Sequence, residues 1–470
     1  MGLYDFTFYD LINRNARSFA KRPAWLEAAD GRALTFAQFK EAVDRLACGL
    51  QESGIQKGDR IGVVGKNSLE YFLLYGAAAA LGAIVLPINW RLSPEEVVFN
   101  LNDCEPKAVF VAPEQAQLIE ELKDRLVGLE QIFNLEINMD AFCGIETLLD
   151  NTGLFEPADV EADDGFVIIH TAAVAGRPRG ALLSHGNLLC SNLTIDYYLE
   201  LSPTDVHLSL LPLFHVAGLF IATAIFQAGA HNISMNKFDA AEAVELIEKH
   251  SVSALFEFAP ILAGILEAAE KAGKRLPTLT SVGGLDGPDA IEKYQEMTGG
   301  TFYCLYGQTE TSCVATMGRY NDKPGSAGKP APLAAVQLVD EYDQPVPPGE
   351  VGEIVTKGPM VFKGYWNLPE DNAYTFREGW HHTGDLGRFD ENGFLWYAGR
   401  KPEKELIKPG GENVYPAEVE KVILQHPAVA ETVVFGVPDP KWKEGIKAVC
   451  RLAEGRQLGP QELIDFVGER

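Results

Sequence analysis

The sequence has 470 residues, of which 46% are apolar and 23% charged. These are ordinary globular values and exclude a disordered chain, a collagen or a coiled coil as the main architecture. Its 40 basic and 66 acidic residues leave a formal charge of −26; such a surface repels phosphate backbones and anionic lipid, so no nucleic acid is expected as a partner.

The N-terminus shows no apolar run behind a basic cluster, so no signal peptide is expected. Two long uncharged stretches, 71–90 and 207–236, raise the question of a membrane span. Gly82 and Pro87 interrupt the first, and Pro212, His215, Gln227 and His231 the second. Such residues are costly in lipid, so both stretches read as buried core, with no integral membrane segment. Seven cysteines without a CxxC pair argue against a disulfide framework or a thiolate zinc site. They fit a reducing compartment, read here as the cytoplasm.

Between residues 35 and 112, helical and strand periods alternate. Phe36, Phe39, Val43, Leu46 and Leu50 mark a helix over 36–51, followed by a strand at Arg60–Val64, a helix at Ser68–Leu81 and a strand at Ala83–Pro87. A further helix starts at Pro94 with Ser93 as N-cap, before a strand at Ala108–Val111. This rhythm predicts an α/β fold built on mostly parallel sheet. Similar units recur at 239–258 and 286–306. After residue 325, Gly, Pro and the short runs Ala335–Val339, Gly352–Thr356 and Phe394–Tyr397 predict an antiparallel region with tight turns. Beyond Gly399 a compact pattern follows, with a helix over 416–425, a strand over 431–437 and a second helix from Pro460.

Four segments carry candidate chemistry. His170–Ala181 follows the apolar run Phe166–Ile169 and precedes a helix expected near Ser184. Strand, glycine loop and helix N-terminus make a phosphate cradle, to which Arg177 and Arg179 add full charge. Neither a GK[ST] loop nor a GxGxxG occurs, and an ordinary basic turn is the alternative. In Tyr306-Gly-Gln-Thr-Glu310, at the end of the strand 302–305, Tyr306 suits stacking on a base, Thr309 a phosphate and Glu310 a magnesium ion. The alternative there is a plain strand-end turn. In His381-His-Thr-Gly-Asp385 the carboxylate beside Gly384 suits two ribose hydroxyls. His381 and His382 lack HxH or HExxH spacing and are not read as metal ligands. The fourth segment runs from Gly399-Arg400-Lys401 through Gly410-Gly411 to Glu420; its bland reading is a charged linker and a glycine turn into a helix.

Taken together, the order and spacing of these segments resemble the AMP-forming acyl-adenylate (ANL) superfamily, which includes acyl-CoA synthetases such as long-chain-fatty-acid–CoA ligases, firefly luciferase and peptide-synthetase adenylation domains. Ser209–Leu219, Gly349–Glu353 and Phe362–Trp366 resemble further family motifs, so the likeness covers nearly the whole chain. The resemblance implies a large N-terminal domain over 1–399, made of two doubly wound α/β subdomains and a small β-barrel-like subdomain. It also implies a small, mobile α+β C-terminal domain over 400–470. The implied activity is ATP-dependent: a fatty or related hydrophobic carboxylic acid becomes acyl-AMP and is passed to CoA, with Mg2+ as the metal. By the same resemblance Thr171, Gly176 and Arg179 face the pyrophosphate end, and Thr309 and Glu310 serve phosphate and Mg2+. Gly284, Leu285 and Tyr306 border the adenine, Gln308 also binds the nucleotide, and Asp385 and Arg400 hold the ribose. His215 sits near the acyl carboxylate, a core histidine being the alternative, and Gly410, Gly411 and Tyr415 face the CoA arm. Homodimers are common in related enzymes, and a homodimer is allowed here.

Three departures qualify the resemblance. Ala172, Ala173, Val174 and Ala175 replace a serine, a glycine and two threonines of the family's phosphate loop, and Arg179 replaces its lysine. Each lost hydrogen bond to phosphate weakens binding by about 1.5–3 kcal/mol, so a weakened site is expected. Pro402-Glu403 reads as an insertion, which matches the family's hinge acid to Glu405. The family's adenylating lysine is expected beyond the last residue here, and neither Lys443 nor Lys447 substitutes for it by motif. Three functions therefore stand: an acyl-CoA synthetase, an adenylation enzyme delivering to a carrier protein or an amine, and a catalytically impaired nucleotide or acyl binder. Which acid is taken depends on packing among Phe214, Phe220, Phe226, Phe256 and Phe258, which spacing does not reveal.

Overall fold

The computed structural model describes residues 3, 5–135, 142–153, 155–174, 177–401, 407, 409–411, 414, 416–453 and 455–468. The first sheet centres on the parallel strands Ile84–Ile88, Arg60–Val64, Ala108–Val111 and Gln131–Asn134. Helices cover the middle strands on both faces, which is why those strands read as unbroken apolar runs. The helix Pro94–Cys104 starts as expected: Glu96 N–H donates to Ser93 Oγ at 3.4 Å, and Ser93 N–H donates to Glu96 Oε2 at 2.8 Å.

Both uncharged stretches form buried helices, Leu69–Leu81 and Val216–Gln227. Phe72 and Phe226 from these helices pack with Phe8, Trp25 and Phe166 in one core, where the Trp25 and Phe72 rings stack at 4.4 Å. No helix among the described residues is long and apolar enough to cross a membrane.

One local expectation is overturned. The helix expected near Ser184 is present, but a second strand stands where the glycine loop before it was expected. Gly165–Val174 and Arg177–Ser184 form an antiparallel hairpin that pairs Thr171 with Arg179 and Gly165 with Ser184. The next helix, His185–Leu199, therefore begins at the far end of the hairpin, where Ser184 caps it. Its N-terminal N–H groups do not help to cradle phosphate at the hairpin turn.

Among the described residues, a nine-stranded sheet holds Ala254–Phe258, Ser281–Leu285 and Thr301–Tyr306 side by side and parallel. A five-stranded antiparallel sheet, curled into a half-barrel, contains Ala335–Val339, Val351–Lys357, Trp380–Phe389 and Leu395–Arg400. The small C-terminal domain has the helices Pro416–Ile423 and Pro460–Gly468 and the strand pair Val429–Asp439 and Lys443–Leu452. Its own apolar cluster includes Ile407, Ile423, Val429 and Val434.

Candidate active site

All three large sheets meet at the turn that follows Thr301–Tyr306. Tyr306 comes from the nine-stranded sheet and Asp385 from the half-barrel, and the Tyr306 hydroxyl donates to Asp385 Oδ2 at 2.8 Å. Gln308 Nε2 donates to the same oxygen at 3.1 Å, and Arg400 Nε lies 3.1 Å from Oδ1. Antiparallel register sets the last contact, because Asp385 and Arg400 are direct cross-strand partners. Asp385 is only 4% exposed. Burial first, and the Asp385 carboxylate second, push the Tyr306 phenol well above its ordinary pKa, so it stays a donor. Tyr397 stacks on Tyr306 at 6.2 Å between ring centroids. Burial and Asp385 raise its own phenol to about 12, against the lowering effect of Arg400.

Directly after Gln308 the turn carries Thr309 and Glu310, both buried. Tyr365 Oη donates to Glu310 Oε1 at 2.7 Å. The Arg179 guanidinium lies over the Tyr365 ring, 4.1 Å from its centroid, and Arg179 Nη1 reaches Asp371 Oδ1 at 3.1 Å. Burial alone lowers the Arg179 pKa, but Tyr365, Glu310 and Asp371 outweigh it and raise the value. Arg179 Nε is buried without a partner, a donor left for a ligand to satisfy. Thr171 Oγ1 donates to the Arg179 carbonyl at 3.4 Å, which ties the two hairpin strands together at this corner.

His215 is the N-cap of the helix Val216–Gln227; its Nδ1 accepts from Ala217 N–H at 3.2 Å, which places the proton of the neutral ring on Nε2. Its ring stands edge-on to Phe258 at 6.2 Å. Gly284 has φ +151°, and a Cβ there would fall 2.0 Å from the Glu257 carbonyl oxygen, so only glycine lets the two strands lie this close. Leu285 follows it, 45% exposed. Gly410 stands in the small domain, where its N–H donates to the Trp442 carbonyl at 3.0 Å, and Gly411 is its neighbour. Gly176, Glu405 and Tyr415 lie outside the described residues. The structure thus joins Tyr306, Gln308, Asp385 and Arg400 directly, and links Arg179 to Glu310 through Tyr365.

A second layer supports Asp385. Glu353 accepts from Gly384 N–H at 3.0 Å and takes Lys401 Nζ at 2.7 Å and His382 Nδ1 at 3.2 Å. Burial alone would raise its pKa, but His382 and Lys401 hold it down at about 2. Asp343, Glu353 and His382 bring three metal-capable donors together, yet Arg377 and Lys401 already neutralise the carboxylates. Asp103, Cys104 and His170 form a similar group in which His170 Nε2 lies 3.0 Å from Asp103 Oδ2, pinning the hairpin to the helix Pro94–Cys104. Sequence reasoning missed the roles of Tyr365, Asp371 and Glu353. Tyr365 and Glu353 stood in recognised motifs, but nothing in the sequence signals Asp371.

Three sheets converging on Tyr306, Asp385 and Glu310, followed in the chain by a small α+β domain, are the architecture of the adenylate-forming enzymes. The chain belongs to the AMP-binding enzyme family: that family's model matches residues 12–366, and the model of the AMP-binding enzyme C-terminal domain matches 418–470. Indoleacetate–CoA ligase of Aromatoleum aromaticum is 34% identical over 448 residues, covering 93% of this chain and 87% of that protein. A crystal structure from Rhodopseudomonas palustris, assigned as a long-chain-fatty-acid CoA ligase, is 43% identical with TM-score 0.82 and covers 85% of this chain and 100% of that one. A double mutant of o-succinylbenzoate CoA synthetase from Bacillus subtilis, bound with a product analogue, is 27% identical with TM-score 0.86 and covers 99% of this chain and 92% of that one. The chain falls among the AMP-forming acid–CoA ligases.

Proposed function

We propose that the protein is an ATP-dependent acyl-CoA synthetase for a fatty or related hydrophobic carboxylic acid. The observation that carries this reading is the Asp385 carboxylate, buried and already collecting Tyr306, Gln308 and Arg400 at one point. A carboxylate has about four acceptor sites, so it can take a ribose hydroxyl as well. With the sugar there, Gly284 and Leu285 border the base, and the turn carrying Thr309 and Glu310 lies toward the phosphates.

The chemistry needs positioning and charge neutralisation more than covalent assistance. An oxygen of the acid attacks the α-phosphorus, and the bond to pyrophosphate breaks. The CoA sulfur then attacks the acyl carbon, and AMP leaves with the electron pair. Arg179, stacked on Tyr365 and anchored by Asp371, holds the departing pyrophosphate. His215, with Nδ1 engaged in the helix cap, offers Nε2–H to the acid. Glu310 would hold Mg2+, a hard cation suited to carboxylate oxygen. The ion would supply neutralisation of phosphate charge.

The buried uncharged helix behind His215 and the ring of Phe258 beside it support an apolar acid. The relatives are named for indoleacetate, long-chain fatty acid and o-succinylbenzoate, so a panel of these three acids is the natural assay. We assign 1–399 and 400–470 to the two domains and expect the second to reorient between half-reactions. The test is acid-dependent release of pyrophosphate with formation of acyl-CoA from ATP and CoA. Pyrophosphate release with no thioester would favour delivery to another acceptor. AMP binding without turnover on any acid would favour a non-catalytic binder.

A further inference from the structure

We propose that Lys443 is a positioning residue that docks the small domain on the loop bordering the adenine, and that this contact supports acyl transfer to CoA. The inference rests on the function proposed above. Lys443 has φ +64°, a left-handed conformation that is costly for a residue with a Cβ. The residue closes the turn that begins at Asp439, its cross-strand partner, and its side chain reaches the large domain. Lys443 Nζ donates to the Leu285 carbonyl at 3.2 Å and lies 3.3 Å from Asp286 Oδ1.

The receiving loop is built for a cation. The Asp286 side chain is only 5% exposed, and its Oδ2 has no partner. Glu257 is fully buried beside it, with Oε1 also without a partner and Oε2 accepting from Leu262 N–H at 3.4 Å. Burial first, and Asp286 second, push the Glu257 carboxyl well above its ordinary pKa, so it stays protonated, and the Lys443 ammonium pairs with Asp286.

The same hairpin also touches the CoA-facing glycines. Trp442, adjacent to Lys443, accepts the Gly410 N–H, and a Cβ on Gly410 would meet the Trp442 ring at 2.6 Å. Neighbouring residues of one turn therefore contact the loop proposed for adenine and the turn proposed for CoA. A solvent-exposed lysine pair usually contributes little. Here the buried acceptor sets the contact apart.

The test uses the full chain as wild type, Lys443→Met, Lys443→Arg and Asp286→Asn. Hydrogen exchange measured by mass spectrometry should show lost protection over 284–287 and 439–444 in Lys443→Met and Asp286→Asn, and retained protection in Lys443→Arg. With the acid that wild type uses best, thioester formation from preformed acyl-adenylate and CoA should fall about fivefold in Lys443→Met. Pyrophosphate release should change less than about twofold, and Lys443→Arg should restore transfer. Unchanged exchange, or an equal fall in both half-reactions, overturns the proposal. If wild type turns over none of the acids, the functional reading fails, and the exchange measurement still decides whether Lys443 docks the domain.

Discussion

Replacing Asp385 by asparagine tests the sugar site directly. The carboxylate accepts from Tyr306 at 2.8 Å, from Gln308 at 3.1 Å and from Arg400 at 3.1 Å. An amide keeps one acceptor oxygen and turns an N–H2 toward these donors. At least one charge-assisted bond to a ribose hydroxyl is then lost, worth about 1.5–3 kcal/mol. At about 1.4 kcal/mol per tenfold, Kd for AMP should rise about 10- to 100-fold. Arg400 is partly exposed and can rehydrate, so the stability loss should be smaller, about 1 kcal/mol. Titration calorimetry with AMP and with 2′,3′-dideoxy-AMP closes a cycle between the side chain and the hydroxyls. Wild type should prefer AMP strongly, and Asp385→Asn should discriminate little. If the variant discriminates as well as wild type, Asp385 does not read the sugar and the site is wrongly placed.

Other outcomes follow from the same geometry. Arg179→Met keeps a stem on the Tyr365 ring but removes the charge, so pyrophosphate release should fall about 100-fold while AMP, which lacks the outer phosphates, binds within about threefold of wild type. His215→Ala should lose the helix cap, about 1 kcal/mol by thermal unfolding, whereas His215→Asn should keep it. Both should lose activity if the imidazole serves the acid, and full activity in the asparagine variant would refute that role. Glu353 titrates at about 2 in the folded protein against an ordinary 4.5, so its stabilisation is present above pH 4.5 and is lost as pH falls toward 2. In acid unfolding followed by circular dichroism, Glu353→Gln should be less stable at neutral pH and should lose that part of the pH dependence. An unchanged acid limb would exclude Glu353 as its source.

The elements over 36–111 were legible because their apolar spacing is strict and their caps are standard, as at Ser93. The hairpin over 165–184 was not, since its second strand mixes two arginines, a proline and a glycine with its apolar residues, and pairing across the turn decides its structure. Lys443–Leu452 was missed for a related reason. Ile446, Ala448, Cys450 and Leu452 do alternate along it, but no residue of the strand is fully buried, so the pattern marks no core face. At the site, Tyr306, Asp385 and Arg400 were readable because each stands in a distinctive motif at a strand end. Asp371 was not, because it meets Arg179 across 192 residues of chain and owes its role wholly to tertiary approach.

The buried helices Leu69–Leu81 and Val216–Gln227 have a cost that appears only when the fold opens. Neither carries a charge within its interior after Glu70, and both lie in the central core. Once released, they present sticky apolar surfaces that meet those of other chains faster than they find each other again. Heating should therefore end in precipitate, and the protein's endurance will be measured as a rate of inactivation and not as a reversible midpoint.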